Sequence, residues 1–427
     1  MTGYWVALSG GLDSMALLHA AGGLRPRLEA SLQAIHVHHG LHPQADQWAR
    51  FCEEACGRLA VPCHVVRVDA RPPQGQSPEA WARRRRNEVF EGVLGAEEML
   101  LTAHHQDDQA ETLLLQLFRG AGPRGLASMP ACVEFGPGWL ARPLLDFSRG
   151  DLQAYACEQG LQWIEDPSNR DVRFDRNFLR HEVIPKLKEH WPQLGRTLSR
   201  SAVWQAEAAL LMDILARQDL ASCAGRPEGT LSVTVLKALD GPRRRQVIRR
   251  WLRDARLPAP AASHLERITE DLFNAHWDAT PCVAWPGAEV RRYRDAIYAM
   301  APLTIHDPHA VYPWNLSEGQ PAPLPPSLGR LWVERTEGRG VKVTLCENRS
   351  LTVRFRQGGE RCRPTGRQTH TLKHLFQEAG VPSWLRDRTP LIYLDNDLVA
   401  VAGLCECQPF AAGPSEAGWD FRWRVGS

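Results

Sequence analysis

The chain reads as an α/β protein: a doubly wound parallel sheet, followed by a mainly helical domain and a small α+β C-terminal domain. Three observations predict this. Across residues 1–200, short apolar runs alternate with longer segments of helical period, the pattern of strands joined by helical crossovers. Residues 201–305 keep the helical period without strand alternation, and residues 329–427 return to short β-rich runs around one helix. With 43% hydrophobic and 23% charged residues, the 427-residue chain has material for ordinary cores and is not of disordered composition.

The strand-length runs are Tyr4–Leu8, Leu32–Val37, His64–Val68 and Glu98–Ala103. Each is followed by a helical segment: Ser14–Leu24, Gln44–Leu59, Glu79–Leu94 and Asp107–Phe118. Right-handed crossovers between them make the sheet parallel, and ligands of such sheets bind beyond the carboxyl ends of the strands. Asp175–Trp191 closes this domain as a helix. The middle domain contributes Arg196–Leu220, rich in Ala and Leu, and Pro242–Arg256, which stops before Pro258 and Pro260. Seven prolines between Pro302 and Pro326 make 306–328 an irregular linker. Leu331–Arg335, Leu351–Phe355, Leu391–Leu394 and Leu398–Ala402 then read as strands, with a helix near Thr371–Ala379.

Lys and Arg total 51 and Asp and Glu 49, which excludes a chain basic throughout but not local basic patches. No apolar run reaches the ~18 residues that cross a bilayer. The first residues, MTGYWVALSGG, show neither a cationic region nor a cleavage site. The expected location is the cytoplasm, with no membrane partner. The eleven cysteines include no C-x-x-C, which argues against a zinc ribbon or an iron–sulfur site. They are expected to be mostly small buried thiols, in the reduced state.

Ser9-Gly10-Gly11-Leu12-Asp13-Ser14 stands between the first strand and the first helix. Two glycines allow a sharp turn that presents successive N–H groups as an anion nest. The helix N-terminus adds partial positive charge, and Ser9 and Ser14 offer hydroxyls to phosphate oxygens. Asp13 would repel a phosphate unless a cation lay between them, so its natural task is to hold Mg2+. The hexapeptide is neither Gly-x-x-x-x-Gly-Lys-Ser/Thr nor Gly-x-Gly-x-x-Gly. A tight turn with capping serines is the plain alternative, but the matched pattern at this place favours a nucleotide.

The second run ends in His36, His38, His39 and His42, and the fourth leads into Leu101-Thr102-Ala103-His104-His105-Gln106-Asp107-Asp108-Gln109-Ala110-Glu111-Thr112. The first group lacks the carboxylate or cysteine pattern of a metal site. His38 and His104 are instead candidates for contact with a nucleotide. Asp108 and Glu111 share one helix face. Acids in a first helical turn often serve only as caps. Beside His104 at a strand end, in a chain with a phosphate loop, they become candidates for chemistry, and Asp107 adjoins them.

The hexapeptide resembles the signature of the PP-loop ATP pyrophosphatases, of adenine-nucleotide alpha-hydrolase-like fold, which cleave ATP between the α- and β-phosphates and adenylate a carbonyl-type oxygen. Further segments extend the likeness. They are Ile35 to His42, Leu101 to Thr112, Arg119-Gly120-Ala121-Gly122-Pro123-Arg124-Gly125-Leu126 and Arg142-Pro143-Leu144-Leu145, then Glu165-Asp166-Pro167-Ser168-Asn169, Phe174 to Arg180, and Gly380 to Asp387. In this order the set resembles the tRNA(Ile)-lysidine synthetases in their long, three-domain form, over nearly the whole chain. The resemblance implies a PP-loop ATP-binding catalytic domain at 1–200 and tRNA-binding domains at 201–305 and 329–427.

It also implies a ligase forming a carbon–nitrogen bond between free L-lysine and the wobble cytidine of the minor isoleucine tRNA with a CAU anticodon. ATP is the co-substrate and Mg2+ the cofactor. Lysidine pairs with A, so the tRNA reads AUA and is charged with isoleucine rather than methionine. Cytosine O2 would displace pyrophosphate from ATP, and the lysine ε-amine would then attack C2 and expel AMP. Ser9 through Ser14, His38 and His104 would bind ATP, with Asp13 on Mg2+. Arg83, where the family has an Arg on the third helix, would steady charge on phosphorus. Asp108 and Glu111 would bind lysine and accept its proton, because an ammonium is no nucleophile. Asn87 stands where the family usually has an aromatic, and His42 where Arg is common.

For tRNA, seven arginines face one acid in Arg243–Arg256, and eight Lys/Arg face three acids in Arg354–Arg388, with Phe355, Phe376 and Trp384 interleaved. Such patches suit phosphate contacts and base stacking, although a solvated helix face has the same composition. Arg243, Arg249, Arg354, Arg356, Arg363, Lys373, Trp384 and Arg386 are the candidates there. Arg173, Arg176, Asn177 and Arg180 lie in the stretch that the resemblance places on the tRNA side. Two rival readings share the loop. A tRNA thiolation enzyme normally carries catalytic cysteines or a C-x-x-C, and a nucleotide-sensing RNA-binding protein gains little from acids beside a triphosphate. The oligomeric state is not legible.

Overall fold

In the first part of the chain β1 (Gly3–Ala7), β2 (Ser31–His38), β3 (Cys63–Arg67), β4 (Glu98–Leu101) and β6 (Gly138–Ala141) run parallel, in the order β3-β2-β1-β4-β6. One strand, β5 (Cys132–Phe135), adds to β6 in antiparallel fashion at the edge, so the sheet is not wholly parallel. The helices are α1 (Leu12–Leu24), α2 (Ala45–Arg58), α3 (Pro78–Val93), α4 (Gln106–Phe118), α5 (Pro123–Leu126) and α6 (Arg149–Glu158). The four predicted runs and their helices are all present, with boundaries shifted by at most two residues. This computed structural model describes all residues except 41, 70, 72, 74–77, 277–278, 318–319, 348 and 426–427, and the side chains of 78–79.

Parallel strands covered on both faces bury successive side chains on opposite sides. Val6 and Leu8 pack on one side with Leu18 of α1 and Cys56 of α2. Trp5, Ile35 and Leu100 pack on the other with Phe90 of α3. The polar motifs therefore emerge only at the strand ends. The helix expected over Asp175–Trp191 is interrupted. Segments α7 (Asp175–Phe178) and α8 (Ile184–His190) are joined by a wider turn, Leu179–Val183, in which the Ile184 N–H reaches back to Leu179 O. Pro185 has no N–H to continue α-helical bonding, which explains the wide turn.

Two compact units divide the chain, Met1–Met212 and Asp213–Ser427, with the division inside helix α9 (Leu194–Ser222) rather than at 200. In the second unit helix Gly241–Asp254 buries Val247, Ile248, Trp251 and Leu252 along one face. They pack against a four-stranded antiparallel sheet that includes Cys282–Trp285, Ala288–Tyr293 and Ala296–Met300. That sheet is more strand than the sequence reading gives the middle domain. Its strands are short and interrupted by arginines, so their alternation is weak.

The last domain contains a five-stranded sheet with Tyr312–Trp314 at its edge, and Trp314 is buried in the core with Val353 and Ile392. Part of the predicted linker is thus a strand. Pro313 is tolerated because an edge strand needs no N–H on its open side. The expectation that the cysteines are reduced is corrected for one pair, because Cys362 and Cys407 form a disulfide; six of the eleven are buried, and Cys132, Cys157 and Cys282 are exposed. Among the described residues, no helix is long and apolar enough to cross a membrane.

Candidate active site

The carboxyl ends of β1, β2, β4 and β6 open on one cavity of about 980 Å³. Strands β2 and β3 follow β1 on one side, and the chain then crosses to place β4 on the other; such a switch point is where doubly wound sheets bind ligands. Gly10 has φ +86°, which favours glycine, and a Cβ there would stand 2.9 Å from Ile164 Cδ1, whose terminal methyl would have to move. Gly11 precedes α1 in extended backbone with no side chain capping the helix, which leaves first-turn N–H groups for an outside acceptor. Ser14 Oγ donates to Gly11 O at 2.9 Å and lies 3.1 Å from Ser9 Oγ. The two hydroxyls brace the turn, and both residues line the cavity with Gly11, Leu12 and Asp13.

Asp13 Oδ2 is 3.5 Å from His105 Nε2, while its Oδ1 is buried and has no hydrogen-bond partner. A buried carboxylate oxygen without a donor is what a hard cation satisfies, so Asp13 fits Mg2+. His105 was not among the expected site residues. It is fully buried, with Nε2 3.4 Å from Asp108 Oδ2 and Nδ1 3.8 Å from Asp107 Oδ2. Burial opposes its charge, but Asp13, Asp108 and Asp107 outweigh burial and raise its pKa. The only sequence signal for this role is its place just ahead of the pair Asp107-Asp108, with Gln106 between.

Asp108 caps α4, accepting from the His105 N–H at 3.1 Å. Its Oδ1 accepts from Arg180 Nη2 at 2.8 Å. Glu111 accepts from Arg176 Nε at 2.9 Å and Arg180 Nε at 2.6 Å. Burial alone would raise the Asp108 pKa; His105, Arg176 and Arg180 hold it below the usual carboxylate range. Neither Asp108 nor Glu111 lines the cavity, whereas Arg180 does. The two expected carboxylates are therefore joined to two of the expected tRNA-side arginines. Asp107 is engaged by the Arg149 N–H and by Lys188, a structural tie between α4, α6 and α8.

His104 lines the cavity and its Nδ1 lies 2.9 Å from Thr102 Oγ1. Burial pushes its pKa down to about 4 against the pull of Asp108, with Arg142, Arg176 and Arg86 adding to the fall, so the ring is neutral at pH 7. His38 also lines the cavity, but its Nε2 is 3.2 Å from Asp46 Oδ1. His36 is used structurally, with Nδ1 2.9 Å from Leu8 O, and His42 stacks on Trp48. Arg83 lines the cavity from α3. Asn177 Nδ2 donates to Ser168 O and Asp171 O, holding a loop whose residues 168–170 also face the cavity. Arg173 is exposed and paired with Asp171.

In the second unit the basic candidates separate by environment. Arg243 forms a two-pronged pair with Asp219. Arg354 donates to Asp395 O and lies over Tyr393, and Arg356 pairs with Asp387. Trp384 packs edge-on against Tyr293 and Tyr298, and Arg386 donates to Tyr293 Oη and Val381 O. These contacts tie the last domain to the middle one. Arg249, Arg363 and Lys373 are exposed.

The chain matches a PP-loop domain family over residues 2–187, the TilS substrate binding domain over 231–298 and the TilS substrate C-terminal domain over 351–423. It is 44% identical over 418 residues to the tRNA(Ile)-lysidine synthase of Coxiella burnetii, covering 98% of this chain and 92% of that one. The enzyme of that name from Methylococcus capsulatus is 44% identical over 402 residues, covering 94% and 91%. That of Escherichia coli O157:H7 is 41% identical over 421 residues, covering 98% and 96%. Identity of this degree, sustained through all three domains, shows that the chain belongs to the tRNA(Ile)-lysidine synthase family.

Proposed function

We propose that this chain ligates free L-lysine to C2 of the wobble cytidine in the CAU anticodon of the minor isoleucine tRNA, through an adenylated cytidine. The observation that carries the reading is the joining of a phosphate loop to two buried carboxylates through one charged network: Asp13, His105, Asp108, Arg180 and Glu111. The loop N–H groups and the Ser9 and Ser14 hydroxyls receive the phosphates of ATP. Asp13 Oδ1 is the group that would hold Mg2+. When bound, that ion neutralises charge growing on the phosphate oxygens.

In the first step cytosine O2 displaces pyrophosphate, and Arg83 balances charge at the reacting phosphorus. In the second the lysine ε-amine must lose its proton before it attacks C2 and AMP leaves. Asp108 and Glu111 are the acceptors within the network, and Arg180 stands between them and the cavity. An arriving lysine ammonium replaces part of the guanidinium charge on these carboxylates.

The experiment is incorporation of radiolabelled lysine into a minor isoleucine tRNA transcript with ATP and Mg2+, beside a methionine tRNA and an Asp13→Ala variant. Label on the isoleucine tRNA alone, lost in the variant, is the expected result. Pyrophosphate release with tRNA but no label would keep the adenylating loop and reject lysine as the nucleophile.

A further inference from the structure

The cavity wall away from the phosphate loop has its own chemistry. Arg83 and Arg86 reach it from α3, and Arg142 from the residue after β6. Arg142 is anchored by Nη1, which donates to Pro130 O at 2.6 Å. The Nε atoms of Arg86 and Arg142 are buried without an acceptor. Among the described residues no carboxylate pairs with any of the three, in contrast to Arg176 and Arg180. A guanidinium charge held in a partly buried site without a counterion is costly. Two such arginines lining one cavity favour an anion there in the working complex.

The surroundings narrow the anion. The same lining holds the apolar Phe90 and Leu140, both buried, and Val133, 38% exposed, together with Asn87 beside Arg86. His104, neutral through burial and held by Thr102, adds an uncharged hydrogen-bonding edge. Apolar side chains, neutral hydrogen-bonding groups and cations in one lining suit a base with its phosphate better than a bare anion. Arg142 follows β6, two strands from the loop after β1, a separation of about 10 Å at ordinary strand spacing.

We propose that Arg86 and Arg142 bind a backbone phosphate of the RNA beside the reacting nucleotide, while the extruded base lies against Phe90, Val133 and Leu140. The inference rests on the ligase reading above. For cytosine O2 to meet the α-phosphate, the wobble nucleotide must leave the anticodon stack and enter the cavity. Its phosphate then enters a site poor in water and needs fixed countercharge. ATP already has the loop N–H groups, two hydroxyls and Asp13.

The test uses the full chain and tRNA transcripts in which the phosphate on either side of the wobble cytidine is replaced by an uncharged methylphosphonate. Arg86→Ala and Arg142→Ala are expected to lower kcat/KM for the ordinary tRNA about tenfold or more, with KM for ATP and lysine held within about twofold. On one of the two uncharged tRNAs the effect of the substitutions disappears, because the wild-type protein has already lost the contact. Arg86→Lys and Arg142→Lys keep the charge and recover part of the rate, and thermal unfolding of every variant separates a lost contact from a lost fold.

A rise in KM for ATP or for lysine instead would assign these arginines to the triphosphate or to the lysine carboxylate, and would overturn the proposal. An equal loss on charged and uncharged tRNAs would overturn it too. If the wild-type chain incorporates no lysine, the ligase reading fails by itself. The same variants are then compared in tRNA binding, where affinities equal to wild type overturn the subsite.

Discussion

Arg180 and Glu111 are joined by two hydrogen bonds, Nε to Oε1 at 2.6 Å and Nη2 to Oε2 at 3.0 Å, and the same Nη2 reaches Asp108. Glu111 is 1% exposed, and among the described residues its only other cation is Arg176. Arg180→Ala therefore leaves a buried carboxylate half-paired and is expected to cost about 2–4 kcal/mol. Denaturant unfolding checks this. Adding Glu111→Gln to that variant should recover part of the loss, because the half-paired charge on the buried Glu111 carboxylate is then gone.

Gly10 offers a test of the loop itself. A methyl group there meets both a left-handed backbone and Ile164. Gly10→Ala should cost about 1–3 kcal/mol and weaken ATP binding. Gly11→Ala meets no atom closer than 3.6 Å, so its effect on stability should be small; calorimetry of both variants compares them.

Asp13→Asn keeps the shape of the side chain and removes the charge from the unpartnered Oδ1. Rate and ATP affinity should fall together, and the dependence of ATP affinity on Mg2+ should flatten. A titration with and without the ion reads this directly. Unchanged Mg2+ dependence would remove Asp13 from the metal-holding role.

His104 predicts an acid sensitivity with a defined window. Its folded pKa is about 4 against 6.5 ordinarily, with burial as the main cause. Between those values the unfolded chain binds a proton that the folded chain does not, so stability falls as pH drops through the window. His104→Gln should lose about 2 kcal/mol less than the wild type between pH 7.5 and 4.5. Urea unfolding at the two pH values measures it. His105 works in the opposite sense: its raised pKa gives stability that is present below its unfolded pKa and lost as pH rises through the folded one.

The basic residues of the second unit should divide by partner. Arg249→Ala and Lys373→Ala, at exposed positions, are expected to weaken tRNA binding severalfold and lower the salt slope by about one each, without loss of stability. Arg243→Ala breaks the pair with Asp219 and should lower the unfolding temperature. Salt-dependent binding and thermal unfolding of the same variants separate the two groups.

The sequence by itself determined four of the six strands of the first sheet with their helices, the glycine turn after β1 and the acids that open α4, because these are local facts. Strand–helix alternation, the glycine pair and the acids after β4 each lie within one segment. It did not show the sheet of the middle domain or the strand at Tyr312–Trp314, where short runs between arginines and prolines carry little periodicity. Tertiary structure alone decided which charges meet. Arg176 and Arg180 look like RNA-binding residues in sequence, yet the wide turn at Leu179–Val183 lies in the stretch that places them on Glu111. Arg86 and Arg142 look equally ordinary, and only the fold sets them in one cavity with no carboxylate pairing either among the described residues. The reason is physical: the energy of a charge depends on what surrounds it in space, and its neighbours here come from segments far apart in the chain.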